Sequence, residues 1–143
     1  MKVSIDTNVL LDFIMQDRVG HINAQKLFKL ILRGKAECDI TIQSILDAAY
    51  IYGRSPDYDR ISFNRIITML MNRVNVSAID YFELKDALAN DNKDIEDNAQ
   101  LSHSWYAGCE FFVTNDRIIL NRELPSPLAA ITPQAFLEQC IED

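Results

Sequence analysis

The sequence predicts an α/β protein, a three-layer α/β/α sandwich around a parallel sheet of about four to five strands. Three observations carry that expectation. Short β-prone runs recur along the chain, amphipathic segments with helical spacing lie between them, and the order is strand, helix, strand, helix throughout. Crossovers of that kind are right-handed and place helices on both faces of a parallel sheet. With 143 residues, 48% apolar and 24% charged, residues 1–143 are read as one domain with an ordinary core.

The elements follow in order. Lys2-Val3-Ser4-Ile5 is a first strand ending at Asp6, and Leu10, Leu11, Phe13 and Ile14 then recur as in a helix. A second helix is predicted from about Ile22 to Arg33, stopped by Gly34. Cys38 to Ile42 alternates like a strand, and Ser44 is read as the N-cap of a helix that Gly53 closes. After a loop at Ser55-Pro56-Asp57, residues 58–72 carry a helix whose Phe63, Ile66, Ile67 and Leu70 are core candidates. Val74-Asn75-Val76 reads as a third strand, followed by a helix from near Asp80 through Leu88. Asn90-Asp91-Asn92-Lys93 is a loop, Asp94 to Ala107 a helix ended by Gly108, and Glu110 to Thr114 the most strand-like run. Leu128 to Ile131 is a short fifth strand, and Thr132-Pro133 sets an N-cap and N1 proline before a final helix.

Composition narrows the function. Asp6 and Asp12 interrupt the apolar N-terminus before a signal peptide could form, and no run approaches membrane-spanning length, so a cytoplasmic protein without membrane association is expected. Cys38, Cys109 and Cys140 are too few and too scattered for a disulfide framework or a zinc cluster, and buried thiols are expected. His21 and His103, the two histidines, sit in no nucleophile motif. A net charge of −7 argues against a broad basic surface for nucleic acid, but not against an acidic site whose cations meet phosphates.

Ligands of open parallel sheets collect beyond the carboxyl ends of the strands. There the sequence places Asp6 directly after the first strand, Asp47 one helical turn past the second, and Asp116 two residues past the strongest strand. Asp97 lies in the first turn of the helix before that strand. Carboxylates that close together repel, and bound cations or shared protons make the arrangement physical. Mg²⁺ or Mn²⁺ suits such oxygen ligands, and phosphodiester hydrolysis suits such a site, because metal-bound water is the nucleophile. Each acid also has a local structural reading. Ser44 with Asp47, and Asp94 with Asp97, resemble helix capping pairs, and Asp116-Arg117 fits a turn. Asp12 is expected to be solvated, and packing is expected for at least one of Trp105 and Tyr106.

Val3-Ser4-Ile5-Asp6-Thr7-Asn8-Val9-Leu10 resembles the first motif of the PIN-domain family of metal-dependent nucleases. Asp94-Ile95-Glu96-Asp97-Asn98-Ala99 is similar to its central acidic motif, and Gly108 to Asp116 to its last acidic strand. The ending Ile131 to Leu137 also resembles the family. The resemblance implies an Mg²⁺- or Mn²⁺-dependent endoribonuclease site in which Asp6, Asp97 and Asp116 match the family's acids and Asp94 supports them. Asp47 stands where the family commonly has Glu, a reach shorter by one methylene. Many small members are toxins of toxin–antitoxin pairs and form homodimers, so RNA, an antitoxin and a second copy are the implied partners.

Two other functions compete. A haloacid-dehalogenase-type phosphatase needs a second Asp two positions after Asp6, where Asn8 stands. A PIN-like scaffold with a degenerate site is favoured by Asp47 and by the acidic surface. For substrate capture, Arg117 and Lys93 are the bases nearest the site in sequence.

Overall fold

The computed structural model describes residues 1–142. Strands β1 (Lys2–Ile5), β2 (Glu37–Thr41), β3 (Asn75–Ser77), β4 (Phe111–Val113) and β5 (Ala129–Ile131) pair in parallel in the order β3-β2-β1-β4-β5. The helices between them are α1 (Thr7–Ile14), α2 (His21–Leu32), α3 (Ile42–Gly53), α4 (Arg60–Met71), α5 (Tyr81–Ala89), α6 (Ile95–Tyr106), α7 (Arg117–Leu120) and α8 (Pro133–Glu142). The chain builds outward from β1 to β3, then returns to add β4 and β5 on the other side. Strand order therefore reverses between β1 and β4, where an open sheet leaves a crevice beyond its carboxyl ends.

Strand alternation sorts the two faces. Val3 and Ile5 of β1 and Cys38 and Ile40 of β2 join Leu10, Leu11, Leu27, Phe28 and Phe136 in the larger apolar core. Leu101, Cys109, Phe112, Ile119 and Leu128 form a smaller cluster. Between β1, β2 and α6 the contacts are instead polar and buried. Ser4 and Ser104 share a hydrogen bond at 2.6 Å, and Asp39 accepts from Asn75 Nδ2 at 2.7 Å and from Ser77 Oγ at 3.2 Å. His103 of α6 donates through Nε2 to Asp39 at 3.0 Å and through Nδ1 to Glu83 of α5 at 2.8 Å. The hydrogen bond to Asp39 lifts the imidazole to a pKa of about 9 against the desolvation cost, and Glu83 adds to the rise. Burial alone would raise Asp39, but His103, with the hydrogen bonds from Asn75 and Ser77, outweighs it and holds the carboxyl below its ordinary value. Buried charge is tolerated here because every member is paired.

Helix boundaries largely follow the residues expected to set them. Gly34 and Gly108 follow α2 and α6 with φ of 75° and 77°, the left-handed region that terminates helices. Asp80 closes a capping box with Glu83, and Thr132 Oγ1 accepts the Ala135 amide at 3.1 Å. Cys38 and Cys109 are buried thiols, as expected, whereas Cys140 is only partly buried.

Three expectations are corrected. The N-cap of α3 is Thr41, not Ser44: Thr41 Oγ1 accepts the Ser44 amide at 3.0 Å. The last strand residue doubles as the cap, leaving Ser44 inside the helix and fully buried. Asp12 is buried rather than solvated, because the chain after α1 folds back over it. Its carboxylate accepts from Arg18 Nε at 2.7 Å and lies 3.4 Å from Asn115 Nδ2. Gly20 packs so closely on that carboxylate that an added Cβ would collide with it. Trp105 and Tyr106 are both at the surface, 40% and 55% exposed. Each ring is tethered by its polar atom, Trp105 Nε1 to Ser126 O at 3.0 Å and Tyr106 Oη to Asp86 at 2.7 Å. The four-residue α7 is too short to show a period and was not expected.

Candidate functional site

Asp6 directly follows β1, and its amide extends the ladder to Val113 O of the neighbouring strand at 3.0 Å. The adjacent Thr114 is fully buried; its hydroxyl donates to Asp6 Oδ2 at 2.7 Å and accepts the Asp116 amide at 3.0 Å. One hydroxyl thus joins the acids that leave the two strands at the topological switch. Burial raises the Asp6 carboxyl above its ordinary value, Thr114 opposes the rise, and Asp116 adds repulsion. Asp116 is the N-cap of α7, accepting the Ile118 amide at 2.8 Å.

Two further helices bring acids to the same place. Asp94 caps α6, accepting the Asp97 amide at 3.0 Å, and so fixes Glu96 and Asp97 in the first turn. Burial, followed by repulsion from Asp94, Asp6 and Asp116, pushes Asp97 up to about 6. Glu96 is pushed up to about 7, chiefly by a hydrogen bond with Asp47 of α3 and then by burial. With a value near neutrality, the Glu96 carboxyl is the one in this pair that can hold a proton.

The four acids singled out in the sequence, Asp6, Asp47, Asp97 and Asp116, line one open cleft of about 440 Å³, joined by Asp94 and Glu96. No lysine or arginine is among the residues lining it. Its inner wall is neutral. Gln100 Nε2 donates to Thr41 Oγ1 at 3.0 Å and Ser44 Oγ at 3.1 Å, and Thr7 Oγ1 donates to Ser44 Oγ at 2.9 Å. Arg117 and Lys93 are exposed and outside the lining. Sequence reading missed Glu96, Gln100 and Thr114. Glu96 had a signal, since it sits inside the acidic motif beside Asp97; Gln100 and Thr114 had none.

An oxygen-only donor set of this charge has the chemistry of a site for a hard divalent cation. Burial raises Asp97 most and a hydrogen bond with Asp47 raises Glu96 most, and the repulsion that adds to both is what such an ion would relieve. Among the described residues, no three His, Cys, Asp or Glu side chains are drawn together closely enough to hold an ion by themselves.

A parallel α/β/α sheet with an acidic crevice at its strand-order reversal is the architecture of the nuclease-like fold expected from the sequence. The chain belongs to the PIN-domain family, whose pattern it matches over residues 2–118; β5 and α8 lie beyond the match. Its fold is similar to that of Mycobacterium tuberculosis VapC20, a Sarcin-Ricin loop cleaving toxin. There the TM-score is 0.63 at 12% identity over 77% of this chain and 86% of the other. A toxin–antitoxin complex from Klebsiella pneumoniae gives a TM-score of 0.64 at 13% identity over 92% and 97%. Rickettsia felis VapBC2, bound to a DNA fragment from its promoter, gives 0.62 at 13% identity over 92% and 98%. At these identities the likeness is one of fold. No curated protein sequence matches the chain.

Proposed function

We propose that the protein is a metal-dependent endoribonuclease, the toxin of a toxin–antitoxin pair, in which Asp6, Asp97 and Asp116, with Asp47, hold Mg²⁺ or Mn²⁺. The carrying observation is the cleft that six carboxyl side chains line, with no cationic side chain among its described lining residues. When bound, the ion supplies an activated water and neutralises charge on the phosphate. The chain's own residues do the positioning. Thr114 fixes Asp6 relative to Asp116, the Asp94 cap fixes Asp97, and the Thr7–Ser44–Gln100 wall holds α1, α3 and α6 in place.

The remaining parts of the reading follow from surface chemistry. RNA is the substrate class, drawn in by the bound cation because the chain itself carries −7. No helix among the described residues is long and apolar enough to cross a membrane, and the proposed location is the cytoplasm. Ile42, Leu46 and Tyr50 stand exposed at successive turns of α3 beside the cleft, which supports a homodimer or an antitoxin contact at that face. A catalytically degenerate scaffold is the second reading. It is favoured by Glu96, whose raised carboxyl carries less than a full charge near neutrality.

Calorimetric titration with Mn²⁺ and cleavage of a single-stranded RNA test both readings. Saturable binding and metal-dependent cleavage, both lost in Asp6→Asn with the fold intact, support the nuclease. Absence of binding at millimolar Mn²⁺ supports the scaffold.

A further inference from the structure

On the face of α6 next to the acidic turn lies a second cavity, of about 470 Å³. Asn98, Leu101, Ser102 and Trp105 of α6 line it at helical spacing, whereas Glu96, Asp97 and Gln100 line the acidic cleft. One helix therefore presents an acidic recess and a mixed aromatic recess side by side. We infer that the second cavity holds a guanine base of the RNA strand whose phosphate occupies the acidic cleft, an assignment that rests on the nuclease reading.

The walls are those of a base site. Trp105 is 40% exposed, and its ring is fixed from two sides, by the Nε1 bond to Ser126 O at 3.0 Å and by edge contact with Tyr106 at 5.0 Å between centroids. A pinned indole with an uncovered surface is a stacking platform that needs no further ordering. Leu124 and Pro125 supply the apolar wall.

The polar groups are mostly donors. Asn90 Oδ1 accepts the Asn92 amide at 2.9 Å and Asn92 Oδ1 accepts the Asp94 amide at 3.2 Å, which leaves the two side-chain NH₂ groups for a ligand. Arg122 gives Nη1 to Asn98 Oδ1 at 2.8 Å, while its buried Nε and Nη2 have no acceptor among the described residues. Unmet N–H groups of this kind are costly and demand an acceptor. The Nε–Nη2 edge is the fork that matches the O6 and N7 acceptors of guanine. Asp86 is already engaged by Tyr106, and exposed Glu123 is the acceptor suited to the guanine amino edge. Nε and Nη2 are closed to water, so a base reaches them only as the wall yields. Stacking and the asparagine amides provide the first hold, and Arg122 the discrimination.

Trp105 is the one tryptophan in the chain, so its fluorescence reports the cavity directly. Metal-free protein is titrated with each of the four ribonucleoside 5′-monophosphates and with inorganic phosphate. The expected result is a saturable Trp105 signal with GMP, tighter than with AMP, CMP or UMP and not reproduced by phosphate. Ser102→Phe, which fills the cavity and keeps the reporter, should abolish it while leaving Mn²⁺ affinity unchanged. By calorimetry, Trp105→Leu should weaken GMP binding by about 5- to 150-fold, the range set by one stacked base. Equal response to all four nucleotides, no response at millimolar concentration, or the same response to phosphate overturns the assignment. GMP binding in a protein that cleaves no RNA would sink the nuclease reading while leaving the base site standing.

Discussion

Asp97→Asn should stabilise the metal-free protein at neutral pH. The Asp97 carboxyl rises from 3.8 to about 6, first through burial and then through its acidic neighbours. That difference corresponds to at most about 3 kcal/mol. Asp97 is half-buried, so solvent screening reduces the figure to about 1 kcal/mol. The sign follows from proton binding: the folded state holds the proton more tightly, so the contribution is full below pH 3.8 and is lost as pH rises through about 6. At pH 7 the wild type carries the whole penalty, and asparagine removes it. The bond made by the Asp97 amide to Asp94 is unaffected, because it belongs to the backbone. In EDTA, thermal melts followed by circular dichroism should show the variant higher by about 2–5 °C at pH 7 and level with the wild type at pH 4. Excess Mn²⁺ should reverse the order, since binding at a hundredfold excess over Kd adds about 2.7 kcal/mol to the wild type alone. A variant less stable at pH 7 without metal, or a difference indifferent to pH, would refute the view of Asp97 as a carboxylate under strain from its neighbours.

Three other outcomes follow from the structure. His103 is raised from 6.5 to about 9, so its stabilisation is full below pH 6.5 and is lost as pH rises through about 9. Urea titrations should show that fall between pH 7 and 10, and His103→Leu should cost about 3–5 kcal/mol at pH 7 by leaving Asp39 and Glu83 without their shared cation. Gly20→Ala should destabilise by about 1–3 kcal/mol through collision with Asp12, and the double variant with Asp12→Ala should recover most of the loss, as a denaturation cycle can measure. For Arg117→Ala, RNA affinity with Ca²⁺ in place of Mg²⁺ should weaken alike for all sequences, and its salt slope should flatten by about one unit. An unchanged slope removes Arg117 from the substrate path.

The sequence was most legible where structure is local. Asp6 and Asp116 could be found because one directly follows a strand and the other stands just beyond one, and strand ends are where such sheets keep their chemistry. Asp97 could be found, but Glu96 was hidden by the adequacy of the capping explanation for Asp94 and Asp97. Ser44 misled for a related reason: its own residue type favours a cap, and only the pairing of Thr41 with the neighbouring strand shows that the helix starts earlier. The Asp39–His103–Glu83 network had no local trace at all. His103 meets Asp39 across 64 positions and Glu83 across 20, so an aspartate in the middle of a strand reads as ordinary alternation until the fold supplies its partner. Asp12 failed in the same way, through enclosure by residues that follow it.

The network around His103 also acts as a key on a shaft. Helix α6 is 12 residues long, roughly 18 Å, with its acidic turn at one end and His103 near the other. Because Asp39 and Glu83 grip the imidazole through both nitrogens, the helix cannot roll about its axis without breaking a charged bond. Its angular phase is set on the sheet, less than two helical turns from the acidic turn it serves. One residue inserted between Gln100 and His103 would turn the acidic face by about 100° relative to that key. Length variation among related chains should therefore avoid the stretch from Asp97 to His103.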